Sequence, residues 1–163
     1  LRDAAVLKPV ASLPLLFAGL LLAVPVVHAD KPATVLVEDA WISEAPPTAR
    51  NNAAYLKVKN GARQDTLIGV TTPVAAVAEL HELRQEGGVA RMQQLKGVEL
   101  APGQELEFAP GGRHVMLIDM RRPLKAGERV PLTLKFRRAG TLTVQAEVRP
   151  LVVEEDHSHH HHH

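Results

Sequence analysis

Residues 76–95 read AVAELHELRQEGGVARMQQL, two runs of β-like composition that meet at Gly87-Gly88. Paired glycines mark reversals of the chain, so the stretch predicts an antiparallel hairpin. With Gln85 to Gly88 as the loop, Arg84 pairs with Val89, and counting back along both strands sets His81 opposite Met92. Directly opposed residues of an antiparallel pair hold their Cβ atoms roughly 5 Å apart. An imidazole and a thioether are therefore expected side by side.

The same pattern extends in both directions. Candidate strands run from Thr34 to Ile42, Ala53 to Asn60, Asp65 to Val70, Ala76 to Arg84, Val89 to Leu95, Gln104 to Phe108, His114 to Met120, Arg129 to Phe136 and Leu142 to Val148. Pro46-Pro47, Asn60-Gly61, Pro102-Gly103, Pro110-Gly111-Gly112 and Ala126-Gly127 separate them. Short strands with turn signals at roughly eight-to-twelve-residue spacing predict an all-β sandwich or barrel. No long helix, internal repeat or interdomain linker is evident.

The 163 residues, 45% of them hydrophobic, suffice for about one domain. Residues 1–29 stand apart. Arg2 and Lys8 give a weakly basic start, an apolar run extends from Val10 to Val27, and small Ala29 precedes Asp30. This resembles a secretory signal peptide cleaved before Asp30, which implies an exported domain over residues 30–153. A retained membrane anchor is the alternative, opposed by Pro14 and Pro25 within the run.

The sequence contains no cysteine. That excludes disulfides, thiol redox chemistry, a cysteine nucleophile, a His2Cys blue-copper centre and a lipid carried on a cysteine at the processing site. Charge is balanced: 19 Lys+Arg face 18 Asp+Glu, and removal of Arg2, Asp3 and Lys8 with the leader leaves a formally neutral domain. No basic stripe with interleaved aromatics suggests nucleic-acid binding. Proteins or a small ion are the expected partners.

Once the leader and the C-terminal histidine run are set aside, His81 and His114 are the only histidines, accompanied by Met92, Met116 and Met120. His114 and Met116 are two apart on a predicted strand, so they share a face about 6–7 Å apart. The glycine-rich approach APGGRH at 109–114 places them near a loop. Imidazole and thioether together make a soft, uncharged donor set suited to Cu(I) rather than Mg, Ca or Mn. Any one of these residues alone reads as packing. The pairs together point to a metal site.

The spacing His81-x10-Met92-x21-His114-x-Met116 resembles the signature of the periplasmic copper chaperones called PCuAC. The likeness continues through VEDAWISEAP at 37–46, NNAAYLKVKN at 51–60, APGGRHVMLIDMRRPLKAGERVPLTLKF at 109–136 and AGTLTVQAEV at 139–148, most of residues 34–150. It implies a cupredoxin-like Greek-key β-sandwich that binds one Cu(I) through His81, Met92, His114 and Met116. It also implies periplasmic delivery to a copper-accepting protein, usually the CuA centre of cytochrome c oxidase, directly or with a thiol-containing chaperone. Such a protein exchanges ligands and is not an enzyme. Some family members carry methionine directly after the first histidine; here Glu82 stands there, so an auxiliary thioether is missing.

Met120 is expected to continue along the Met116 face, roughly 13 Å on, as core or rim packing; core packing is also the default for Trp41 and Tyr55. Residues 154–163, EEDHSHHHHH, form a histidine-rich tail, either native or a purification tag. His157, His159, His160, His161, His162 and His163 would bind divalent metals, Cu(II) among them, in either case. Three other functions fit parts of the sequence. A copper storage or resistance protein would use the same donors, a structural β-sandwich module would leave them coincidental, and a histidine-brace oxygenase would need cleavage after the bulky Val27 to expose His28.

Overall fold

Strands account for all the regular structure among the described residues, 34–150, of the computed structural model. The predicted leader and the histidine-rich tail lie outside the described residues. In chain order the strands are β1 (Leu36–Ser43), β2 (Asn52–Lys59), β3 (Asp65–Thr71), β4 (Ala75–Glu86), β5 (Val89–Leu95), β6 (Val98–Leu100), β7 (Glu105–Phe108), β8 (Arg113–Met120), β9 (Arg129–Phe136) and β10 (Gly140–Arg149). Hydrogen bonding orders them β5-β4-β8-β2-β1-β10-β9-β3-β6, with β7 also on β2. The fold is the cupredoxin-like Greek-key β-sandwich implied by the sequence.

Two irregularities turn one continuous ladder into a sandwich. β2 divides one edge between two partners, pairing Asn52–Ala54 with β8 and Leu56–Lys59 with β7. β1 carries a bulge between Glu38 and Trp41, where Asp39 adopts φ 48°; bulges bend a strand and raise its twist. β1 runs antiparallel to β2 and parallel to β10, with Ser43 level with Arg149. At that end Ser43 Oγ donates to Asn52 Oδ1 at 2.6 Å and Asn52 Nδ2 donates to the Ser43 carbonyl at 2.7 Å, so two buried polar side chains satisfy each other.

Period-two alternation fills the core. Ala54, Leu56 and Val58 of β2, Val115 and Leu117 of β8, Leu132, Leu134 and Phe136 of β9, and Ala146 and Val148 of β10 join one buried cluster. Full burial of such a side chain contributes about 1.5–3 kcal/mol. Because Val115 and Leu117 face the core, the residues that alternate with them on β8 face the other side of the sheet. His114 and Met116 are those residues.

Asp65 fastens the opposite part of the sandwich. Its Oδ1 accepts the backbone N–H groups of Thr66 at 2.7 Å and Arg138 at 2.8 Å, and its Oδ2 accepts that of Ala139 at 2.9 Å. Burial pushes the carboxyl upward, yet the three N–H donors and the Arg138 charge outweigh it and hold the group below the usual aspartate range.

The predicted hairpin forms, but in a different register. Glu86 pairs with Val89, so the loop is only Gly87-Gly88, and His81 faces Gln94 while Met92 faces Leu83. Both glycines have positive φ, 58° and 79°, which is what a two-residue hairpin turn demands; Gln85 and Glu86 are thereby free to join the ladder. β6, only three residues long and paired with β3, was absent from the expected strands. Met120 packs against the core, as a packing residue should. Asp119 before it is left-handed, φ 51°, while the register against β4 continues unbroken to Met120, which is level with Ala75. Trp41 and Tyr55 are neighbours across β1 and β2 with ring centroids 4.5 Å apart. Tyr55 is buried, as expected of a core residue, while half-buried Trp41 lies against it with the Arg149 guanidinium 5.9 Å from the Trp41 ring centroid.

Candidate metal centre

β4 and β8 are far apart in sequence and adjacent in the sheet, and their register sets His81 directly opposite His114. The imidazole centroids are 5.8 Å apart and the rings inclined at 45°. Met116 lies two residues beyond His114 on the same face, opposite Glu79. Met92 is opposite Leu83, which shares a face with His81. It is therefore diagonal to His81, at the roughly 7–8 Å typical of such neighbours, instead of directly across from it. All four residues singled out from the sequence thus occupy one face of three adjacent strands, β5, β4 and β8.

The hydrogen bonds around the two histidines fix which nitrogens are free. Glu79 Oε2 lies 2.8 Å from His81 Nε2. A carboxylate can only accept, so in the neutral imidazole Nε2 carries the proton and Nδ1 keeps its lone pair. That Nδ1 is buried and has no hydrogen-bond partner. His114 Nδ1 donates to the Gly112 carbonyl at 3.2 Å, which leaves the lone pair on Nε2. Histidine ligands of metals ordinarily have the second nitrogen tied to a carbonyl or carboxylate in this way. A buried nitrogen acceptor without a protein partner fits a metal ion or a hydrogen-bond donor.

Exposure grades across the site. His114 is buried at 7%, the His81 side chain is 14% exposed, and Met92, on the exposed β5, is 53% exposed. Two imidazoles and one thioether are held on paired strands backed by the core. The second thioether stands on a strand with β4 alone beside it. Among the described residues no three His, Asp, Glu or Cys side chains gather as a metal cluster. The donors on this face are two imidazoles and two thioethers, a soft set.

Glu82, the position where a further thioether was missed, faces the other side of the sheet, since neighbours on a strand alternate. There it accepts from Arg84 at 2.7 Å and pairs with Arg113 at 3.0 Å. The Arg84 hydrogen bond, opposed by desolvation and assisted by Arg113, holds its carboxyl below the usual range. Since Glu82 and Arg113 are also cross-strand partners, this contact pins β4 to β8 one step from the histidine pair. The contribution of Glu79 was not anticipated, although Glu79-x-His81 on a strand is a same-face spacing.

A protein-family model described as "Putative lipoprotein LpqE-like" matches residues 35–148. A protein of Leifsonia xyli subsp. xyli, described as putative lipoprotein Lxx21020, is 35% identical over 117 residues, 71% of this chain and 69% of that protein. Among solved structures, the copper-bound PCuAC domain from PmoF2 matches with a TM-score of 0.62 at 26% identity, covering 72% of this chain and 93% of that one. The solution structure of Cu(I)-bound DR1885 from Deinococcus radiodurans matches with a TM-score of 0.61 at 33% identity, covering 76% and 83%. The β-sandwich described above is shared with these domains.

Proposed function

We propose, from the premise that this chain belongs to the LpqE-like family, that it is a copper carrier which takes one Cu(I) on His81, Met92, His114 and Met116 and releases it by ligand exchange. The observation that carries the reading is the pair of facing histidines, each with one nitrogen anchored by an acceptor and the other left with a free lone pair, on a face with two thioethers. Two solved PCuAC-type neighbours are described as bound to copper, one of them to Cu(I), which supports the choice of ion.

The geometry suits transfer more than catalysis. Thioethers are neutral and bind without losing a proton, so they hold Cu(I) without adding net charge. His81, His114 and Met116 supply the fixed part of the set, and exposed Met92 is the ligand an incoming donor displaces first. The ion passes through states in which carrier and acceptor share it, and no bond to oxygen or hydrogen is broken. The recipient we propose is a copper-accepting protein such as the CuA-bearing subunit of cytochrome c oxidase or a thiol-containing chaperone. Action in the periplasm is proposed on the leader-like residues 1–29 and on the lipoprotein description of the relatives.

The test is an anaerobic Cu(I) titration against a coloured chelator, using the chain with the tail histidines replaced by alanine. One Cu(I) per chain is expected. His114→Ala should weaken binding by at least about 100-fold, in line with the removal of a protein ligand whose supporting contacts alone are worth 10–100-fold. Equal affinity for the wild type and His114→Ala would refute the proposed site.

A further inference from the structure

We infer that Glu79 is a positioning residue of this site, holding His81 in the Nε2–H tautomer so that Nδ1 is the nitrogen presented to the ion. The inference rests on the copper-carrying function proposed above, and it assigns a task to a residue outside the four donors.

The two histidines are supported by the same device built from different groups. Each has its acceptor two residues earlier in the chain: the Glu79 carboxylate, on β4, for His81 and the carbonyl of Gly112, just before β8, for His114. The ring atoms chosen are opposite, however. Glu79 takes Nε2 and Gly112 takes Nδ1, so His81 offers Nδ1 while His114 offers Nε2. A free imidazole exchanges readily between its tautomers, and which nitrogen stays free is set by the bond the other makes. Without Glu79, nothing else in the structure bonds either ring nitrogen of His81.

Glu79 is well placed for this task. It lies directly across from Met116 and two residues before His81 on the same face, and its side chain is only 27% exposed. Its charge favours a cation beside it. Among the described residues Glu79 does not gather with His81 and His114 as a metal cluster. Glu82 faces the other side of the sheet and cannot substitute.

The experiment uses the full-length protein, uniformly labelled with nitrogen-15, and long-range proton–nitrogen correlation spectra assigned by single-histidine substitution. In the apo wild type, His81 should show a protonated Nε2 and a bare Nδ1, with His114 reversed, and Cu(I) should shift Nδ1 of His81. Glu79→Gln keeps an oxygen acceptor and should preserve the tautomer, with Cu(I) affinity within about threefold of wild type. Glu79→Ala should populate both tautomers and bind Cu(I) about 10–100-fold more weakly with its melting temperature little changed. A bare Nε2 on apo His81, or Glu79→Ala matching wild type in tautomer and affinity, would overturn the inference. Wild type that binds no Cu(I) would instead overturn the copper function, and the apo spectrum would separate that failure from a failure of Glu79 to set the tautomer.

Discussion

Replacing Asp65 tests how a carboxylate is held in this sandwich. Its two oxygens collect the backbone N–H groups of Thr66, Arg138 and Ala139 at 2.7–2.9 Å. A hydrogen bond to a charged group contributes about 1.5–3 kcal/mol. Thr66 is buried, whereas the Arg138 and Ala139 amides lie near solvent-exposed residues and can be rehydrated, so the three do not add in full. Asp65→Ala should therefore cost about 3 kcal/mol at pH 7, within a range of roughly 2–5. Asp65→Asn keeps Oδ1 for Thr66 and Arg138 but turns an amide donor toward the Ala139 N–H, and should cost about 1–2 kcal/mol.

The pH dependence follows from the depressed carboxyl. In the unfolded chain aspartate titrates near 3.9, and in the folded protein below its usual range. Its stabilisation is therefore complete above about pH 4 and is lost as pH falls through the folded-state value, because below that both states are protonated. The gap between wild type and Asp65→Asn, which cannot ionise, should narrow steadily below pH 4. Urea unfolding followed by circular dichroism from pH 7 down to pH 3 measures it. A penalty for Asp65→Ala under about 1 kcal/mol at pH 7, or an Asp65→Asn gap as wide at pH 3 as at pH 7, would refute the account.

Other expectations follow from the same structure. Leu117→Ala, at a fully buried position behind Met116, should lower stability by about 2–5 kcal/mol, read from the urea midpoint. Gly88→Ala places a side chain at φ 79° and should cost about 1–2 kcal/mol; amide exchange should accelerate across Val89–Leu95 before it does in β8, and uniform acceleration would contradict a locally held hairpin. Peroxide should oxidise Met92 ahead of Met116 and Met120, because it is the exposed large hydrophobic of the three; peptide mass spectrometry showing equal rates would count against that exposure. Met92→Ala should leave the melting temperature within about 2 °C of wild type, as expected of an exposed surface position, while speeding Cu(I) loss to a chelator under the proposed function.

Much of this architecture is legible in the sequence because alternation is a local property. β5 and β9 coincide with their expected spans, and the other expected strands differ at their ends only. Register is not local. Gln85 and Glu86 look like loop residues by composition, yet the positive φ of both glycines closes the turn in two residues and draws them into the ladder. The error moved each partner by two positions. An even shift leaves every side chain on its expected face, so Met92 stayed beside His81 although their direct opposition was wrong. The opposition of His81 and His114 depends on β4 lying against β8, a pairing of strands distant in the chain that no short-range pattern encodes. β6 escaped notice because three residues cannot display a period.

The parallel pairing of β1 with β10 has a consequence for whatever follows the domain. Met116 is level with Ala53, the Ser43 hydroxyl donates to the Ala53 carbonyl, and Ser43 is level with Arg149. Arg149 is thus three strand spacings from Met116, about 14 Å across the sheet. Any metal-binding group joined to the chain beyond that point meets the histidine–methionine face as a tethered neighbour, at an effective concentration on the order of millimolar for a short flexible link. Capture by such a group and passage to the domain would then be a step within one molecule, independent of how dilute the protein is.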